Sequence, residues 1–509
     1  MAILKRPNEP SRGGVKKTSL DKDLKRIVQL EKASARISKG NLNLGFGFLF
    51  LLAVWVFAYF KAGGTETYSI ITIAALVGAY MAMNIGANDV ANNVGPAVGS
   101  KALTLIGALC IAAVFEAAGA LIAGGEVIST ISKSIVSPDS FADKTIFIWA
   151  MLSALLSAAV WINLATYFGA PVSTTHSIVG GVIGAGIAAA GFAAVDWFVM
   201  MKIAASWVIS PVLGGFVAAA FLAFVKFAIL YKEDKISAAK RWVPVLVGIM
   251  ASAFSVYLCM KGLKRIWKPD AAILAMIGLG AFAIVYAIVR ISVTKAAGTL
   301  ENRRRSVGTL FTIPLICAAA LLSFAHGSND VANAVGPLAA IVSAVTEGEV
   351  ASKVTLPIWV LAIGAIGIAV GLLLFGPKII EIVGEKITKL NRVRAFCVAL
   401  SASITVIIAS TLGLPVSSTH IAVGAVFGVG FLREAITNRR VDIGAGGKPP
   451  ATGGSENGSD REIRRWAKAR KRKLVRRSHL MSIVAAWLIT VPASAIVAAL
   501  IFFAINSVR

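Results

Sequence analysis

Residues 86–96 read GANDVANNVGP, and residues 327–337 return them as GSNDVANAVGP, with nine of eleven positions identical. The first copy interrupts an apolar run that extends from Ile70 into Ala113. In hydrocarbon a buried amide or carboxyl group without a partner costs about 2 to 7 kcal/mol. A chain that places Asn88, Asp89, Asn92 and Asn93 in such a run, and repeats the pattern, has a use for them.

Composition identifies the surroundings as membrane. Of 509 residues, 57% are hydrophobic and only 15% charged. The mean hydropathy of +0.79 exceeds what a soluble chain of this length needs for its core. Apolar stretches of about 20 residues, long enough to cross about 30 Å of hydrocarbon, recur at 43–60, 69–85, 102–125, 145–169, 172–192, 203–230, 242–262 and 271–293. They resume at 309–325, 356–380, 393–414, 420–432 and 480–505. The 47 glycines suit close helix packing in lipid better than strands. The expectation is an all-α polytopic membrane protein with about 12 to 13 membrane segments. The first segment follows 40 polar residues and has no small-residue cleavage site after it, so it reads as an anchor rather than a secretory signal.

A second motif is also duplicated: PVSTTHSIVG at 171–180 and PVSSTHIAVG at 415–424 agree at seven of ten positions. The two motif pairs are offset by 241 and 244 residues, and WVISP at 207–211 is echoed by WLITVP at 487–492. The chain is therefore an internal duplication, with a first repeat over 69–230 and a second over 309–505. Segments 43–60 and 242–293 lie outside the repeats, and a basic loop at 433–478 interrupts the second. Seven segments separate the two starts, and an odd number inverts the second copy. Inverted repeats characterise secondary transporters, whose sites lie near the bilayer midplane.

The net charge of +26 does not indicate nucleic acid, because 25 of the 51 Lys and Arg residues fall in residues 1–40 and 433–478. An even number of crossings separates these segments, so the N-terminal tail 1–42 and the loop 433–478 share one face. The positive-inside rule makes that face cytoplasmic and the C-terminus external, in a plasma or inner membrane. Basic loops at 231–241, 294–305 and 386–394 agree, while Lys261, Lys264, Arg265 and Lys268 fall on the wrong side. Residues 461–479, REIRRWAKARKRKLVRRSH, read as a solvated helix against anionic lipid. Cys110, Cys259, Cys317 and Cys397 lie in apolar segments without CxxC spacing and read as packing residues.

Gly86, Gly95 and Pro96, with Gly327, Gly336 and Pro337, are expected to interrupt their helices and free carbonyls beside Asn and Asp oxygens, which suits a hard cation such as Na⁺. Pro171 and Pro415 are expected to open helices whose first turns carry the Ser/Thr clusters. Exposed N–H groups, the helix dipole and several hydroxyls then form a cradle for phosphate or sulfate. Asp89 and Asp330 repel a bare anion, so co-bound Na⁺ or protons must neutralise them. Glu116, in AAVFEAAGALI, is a mid-membrane acid and so a functional candidate, without a counterpart in LAIGAIGIAVGL at 361–372. Three of the four histidines, His176, His326 and His420, lie in or beside the motifs, as orienting or proton-linked groups.

Together, GANDVANNVGP with HGSNDVANAVGP and PVSTTH with PVSSTH resemble the duplicated signature of the inorganic phosphate transporter family, the cation-coupled phosphate permeases. The resemblance covers roughly residues 69–505. It implies an inverted-repeat fold with discontinuous or re-entrant helices that takes up inorganic phosphate by symport with Na⁺ or H⁺. By motif position, Ser173, Thr174, Thr175, Ser417, Ser418 and Thr419 resemble the phosphate ligands. Asn88, Asp89, Asn329 and Asp330 resemble the cation site, joined by Asn92, Asn333 and Glu116. The motifs leave open Na⁺ or H⁺, free phosphate or metal-phosphate, and a sulfate-carrying branch. A passive anion channel is an alternative of another class. A hydrolase built on Ser173 or Ser417 with His176 or His420 lacks the orienting acid, so no enzyme and no cofactor beyond the coupling ion are expected. The expected partners are phosphate, the cation and lipid, without nucleic acid, and a homodimer is compatible with the sequence.

Overall fold

In hydrocarbon a backbone amide has no water to bond, so each apolar segment closes its own hydrogen bonds as a helix. The computed structural model describes residues 41–63, 69–168, 172–262, 269–346, 357–386, 390–444 and 477–508. The basic tail 1–40, loop residues 445–476, Pro171, Lys264, Arg265 and Lys268 lie outside them. The main helices are α1 Asn41–Lys61, α2 Ser69–Gly99, α3 Leu105–Ala123, α4 Lys144–Tyr167, α5 Thr174–Ala190, α6 Trp197–Val225 and α7 Lys235–Gly262. They continue with α8 Ala271–Ala297, α9 Thr312–Thr346, α10 Ile358–Lys386, α11 Arg392–Thr411, α12 Ser418–Gly444 and α13 Arg477–Val508. Among the described residues 12 helices are long and apolar enough to cross a membrane, and α5, at 17 residues, is a shorter apolar one. The only extended pairing among them is the isolated bridge between Val136 and Val195. The chain divides into Met1–Leu49, of which residues 41–49 are described, and Phe50–Arg509. The second unit holds both pairs of duplicated motifs.

The Asn-Asp motifs do not break their helices. α2 runs unbroken for 31 residues through Gly86, Gly95 and Pro96, and α9 for 35 through Gly327, Gly336 and Pro337. A broken ladder in lipid leaves several backbone groups unpaired, whereas an internal proline removes a single N–H. Only the carbonyls of Asn92 and Asn333, four residues before Pro96 and Pro337, lose their helical donor.

Close approach explains two of the motif glycines. A Cβ on Gly86 would lie 2.0 Å from the Ile368 carbonyl oxygen of α10, and one on Gly327 2.0 Å from the Glu116 carbonyl oxygen of α3. In return Gly371 meets the Met83 carbonyl and Gly119 the Phe324 carbonyl at the same 2.0 Å. Gly180 and Gly184 of α5 likewise press on Val491 and Ala495 of α13, and Gly424 and Gly428 of α12 on Pro211 and Gly215 of α6. The two halves thus exchange contacts reciprocally: α2 packs on α10 as α9 packs on α3, and α6 on α12 as α13 on α5. α9 is central, with 89% of its most apolar stretch buried against 11% for α8.

Polar contacts sort the helix ends. Arg392, opening α11, donates to the Lys101 carbonyl just after α2 at 2.9 Å and to Thr312 Oγ1, which opens α9, at 3.0 Å. α2 therefore ends where α9 begins. Opposite to this, Lys261 at the end of α7 lies 3.1 Å from Glu126 Oε1, just beyond α3, and donates to the Thr411 carbonyl at 3.4 Å. The charge pattern that sets Lys261 against the positive-inside rule is thus offset by an acid at the same end.

Candidate functional site

The candidate site forms where the starts of two helices meet the middles of unbroken ones. α5 and α12 begin at Thr174 and Ser418, with Ser173 and Ser417 as caps: Ser173 Oγ accepts the His176 amide at 3.1 Å, and Ser417 Oγ the His420 amide at 3.3 Å. Pro415 stands three residues ahead of α12 rather than in its first turn, because the cap position requires a side-chain oxygen on extended backbone, which serine supplies and proline does not. At these helix starts the first N–H groups have no partner within the helix.

Both starts meet the middles of α2 and α9. Asp89 Oδ2 accepts from Thr174 Oγ1 at 3.1 Å, and its Oδ1 accepts from Thr419 Oγ1 at 3.1 Å and from Asn92 Nδ2 at 3.4 Å. Asp330 Oδ2 accepts from Ser418 Oγ at 3.2 Å. The asparagines cross between halves: Asn92 Nδ2 donates to Thr419 Oγ1 at 2.8 Å, while Asn333 Nδ2 donates to Thr174 Oγ1 at 3.3 Å and Thr175 Oγ1 at 3.2 Å. Thr175 Oγ1 in turn donates to the Val416 carbonyl at 2.9 Å.

His326 joins the acids. Its Nε2 lies 2.9 Å from Asp330 Oδ2 and 3.7 Å from Asp89 Oδ2, and its Nδ1 lies 3.1 Å from Glu116 Oε2. Asn93 Nδ2 donates to the other Glu116 oxygen at 2.7 Å. The contact positions Gly327–Glu116 and Gly86–Ile368 put Ile368 where the second half would hold an acid, so Glu116 is asymmetric. Three buried carboxyl groups surround one imidazole, so the cluster holds more acids than bases. Asn88 Oδ1, Asn93 Oδ1, Asn333 Oδ1 and Asp330 Oδ1 are buried without a hydrogen-bond partner. Hard oxygens and uncompensated negative charge are what an alkali cation takes as ligands.

Asp89, Asn92, Glu116, Asp330, Asn333, Thr174, Thr175, Ser418, Thr419 and His326 therefore converge. The amide nitrogens of Asn88 and Asn329 are taken up outside this set, donating to Thr166 Oγ1 at 3.0 Å and Ser410 Oγ at 2.9 Å. His176 and His420 face each other across the halves, their ring centroids 4.8 Å apart, with Trp207 3.8 Å from His176. Asn93 escaped the sequence reading of the site, and so did Thr166 and Ser410, the hydroxyls that take up the Asn88 and Asn329 amide nitrogens beside it. A signal for the last two existed, since each stands five residues before the proline of its PVS motif.

The profile of the phosphate transporter family matches residues 85–498, which include both copies of both motifs. A Helicobacter pylori protein named "Putative phosphate permease" is 46% identical over 96% of this chain and 99% of its own. A Pyrococcus abyssi protein, also named as a phosphate permease, is 35% identical over 84% of this chain and 96% of its own. A solved structure described as "The sodium-dependent phosphate transporter" superposes with a TM-score of 0.74 at 33% identity, covering 87% of this chain and 100% of that one. With the family profile spanning every duplicated motif and relatives matched nearly end to end, the chain belongs to the phosphate transporter family.

Proposed function

We propose that this protein takes up inorganic phosphate by symport with Na⁺, using two inverted repeats that meet at the buried cluster. The observation that carries this reading is the sharing of donors: Thr174, Ser418 and Thr419 each give a hydroxyl hydrogen bond to Asp89 or Asp330. A cation on those carboxylates, with the unpartnered oxygens of Asn88, Asn93 and Asn333 as further ligands, removes the charge that repels an oxyanion. It also releases the hydroxyls, which, with the helix N-termini of α5 and α12, then face phosphate. Cation and anion thereby depend on one another, which is what symport requires. The opposed directions of α2 and α9 and the reciprocal packing of the halves support the inverted arrangement.

A proton is the second reading, favoured by His326 lying against Glu116, Asp330 and Asp89. Purified protein in sealed vesicles decides between them. Accumulation of labelled phosphate driven by an imposed Na⁺ gradient, and unaffected by a pH gradient, is the expected result. Uptake driven by the pH gradient alone transfers the role to protons, and uptake that never exceeds equilibration makes the protein a passive channel.

A further inference from the structure

Asn88 and Asn329 are equivalent by motif, and their hydroxyl partners are equivalent as well, since Thr166 and Ser410 are offset by the same 244 residues as the PVS motifs. The amides nevertheless end differently. Asn329 is fully engaged: its Nδ2 donates to Ser410 Oγ at 2.9 Å and to the Leu414 carbonyl at 3.2 Å, and its Oδ1 accepts the Val416 amide at 3.2 Å. It ties the strand of chain between α11 and α12 to the middle of α9. Among the described residues, which leave out residue 170, the counterpart of Leu414, Asn88 has only the Thr166 bond, at 3.0 Å through Nδ2, and its Oδ1 is buried without a hydrogen-bond partner. The residue itself is only 4% exposed.

An asparagine ligates a cation through Oδ1, and the amide does so only if Nδ2 has an acceptor elsewhere, because a rotated amide would present hydrogens to the cation. Thr166 Oγ1 is that acceptor. From this difference we infer that the two motif asparagines have divided their labour: Asn88 offers its oxygen to the coupling cation, with Thr166 as the residue that positions it, while Asn329 serves as a clamp on the segment before α12. The inference rests on the cation reading of the cluster, and it departs from a symmetric site in which both asparagines ligate.

Residues that orient a ligand from behind typically change metal affinity 10- to 100-fold when removed. Thr166→Val keeps the shape of threonine and deletes the acceptor. It is expected to raise the Na⁺ concentration for half-maximal phosphate uptake about 10-fold or more. Thr166→Ser, which restores an oxygen, is expected to return it to the wild-type range. Ser410→Ala is expected to leave the Na⁺ requirement unchanged and to lower the melting temperature of the purified protein by loosening the clamp. Na⁺ protection of the purified protein against heat, measured without phosphate, reads the cation site separately from transport. A wild type that shows neither Na⁺-dependent uptake nor Na⁺ protection overturns the coupling reading and this inference together. A wild type that shows both, with Thr166→Val responding to Na⁺ like wild type, overturns only the role of Thr166. An equal rise in Na⁺ requirement in Thr166→Val and Ser410→Ala restores the symmetric site. Should Thr166→Val not fold, Thr166→Ala makes the same comparison.

Discussion

Asn92, on the second helix from the N-terminus, donates a 2.8 Å hydrogen bond to Thr419, which lies 327 residues further on and at the start of a helix of the other half. The reciprocal bond runs from Asn333 to Thr174 and Thr175. Each Asn-Asp motif therefore bonds the hydroxyl cluster of the other half.

Removing charge at the centre separates transport from folding. Asp89→Asn and Asp330→Asn preserve shape and hydrogen-bonding capacity but not the negative charge that a cation needs. Each is expected to abolish Na⁺-driven uptake of labelled phosphate while the protein still elutes as a monodisperse species. Uptake in either variant with wild-type cation dependence would refute the assignment.

Single hydroxyls matter in proportion to one hydrogen bond to a charged group. Thr174→Ala or Ser418→Ala is expected to weaken phosphate binding by about 1.5 to 3 kcal/mol, roughly 10- to 150-fold, at saturating Na⁺. The half-saturating phosphate concentration of uptake measures this, and no change in either variant argues against the hydroxyl cradle.

Selectivity follows from the unpartnered acceptor Asp330 Oδ1 beside the hydroxyl donors. Phosphate near neutral pH keeps a P–OH to donate to it, and sulfate does not. Leaving a buried acceptor unpaired costs about 1 to 3 kcal/mol, more for a carboxylate, so sulfate is expected to compete about 100-fold more weakly than phosphate. Equal inhibition of phosphate uptake by the two anions at fixed pH and Na⁺ moves this chain to sulfate.

Glycine replacements test the helix contacts. Gly327→Ala drives a methyl to 2.0 Å from the Glu116 carbonyl oxygen, and Gly86→Ala does the same against Ile368. Overpacking of this kind costs about 1 to 3 kcal/mol or more, so both are expected to lower the melting temperature or the folded yield. Gly95→Ala meets nothing within 4 Å and is expected to be tolerated, since alanine suits a helix interior better than glycine.

The pairing of Lys261 with Glu126 bears on topology. Cysteines placed at 126 and 261 are expected to react together with a membrane-impermeant reagent applied to intact cells, and cysteines at 101 and 302 to be protected. Labelling of one pair member without the other breaks the shared end.

The sequence by itself determined the solvent, the helical class, the approximate starts of the segments and the duplication of the motifs, because each depends on local composition or on identity between two stretches of chain. It also brought forward Asp89, Asp330, Thr174 and Ser418, since polar residues repeated within apolar runs stand out against the cost of burying them. What it misplaced was the backbone: glycine and proline in GANDVANNVGP suggest a broken helix, yet α2 and α9 continue because Gly86 and Gly327 serve helix contacts with carbonyls on α10 and α3. Only tertiary structure decided which hydroxyl reaches which carboxylate, that Glu116 and His326 belong to the same cluster as both aspartates, and that Asn88 and Asn329, alike in motif, end in different bonds. These outcomes are set by side chains hundreds of residues apart competing for the same few donors. That competition depends on distances between helices, which the order of residues along one helix does not encode.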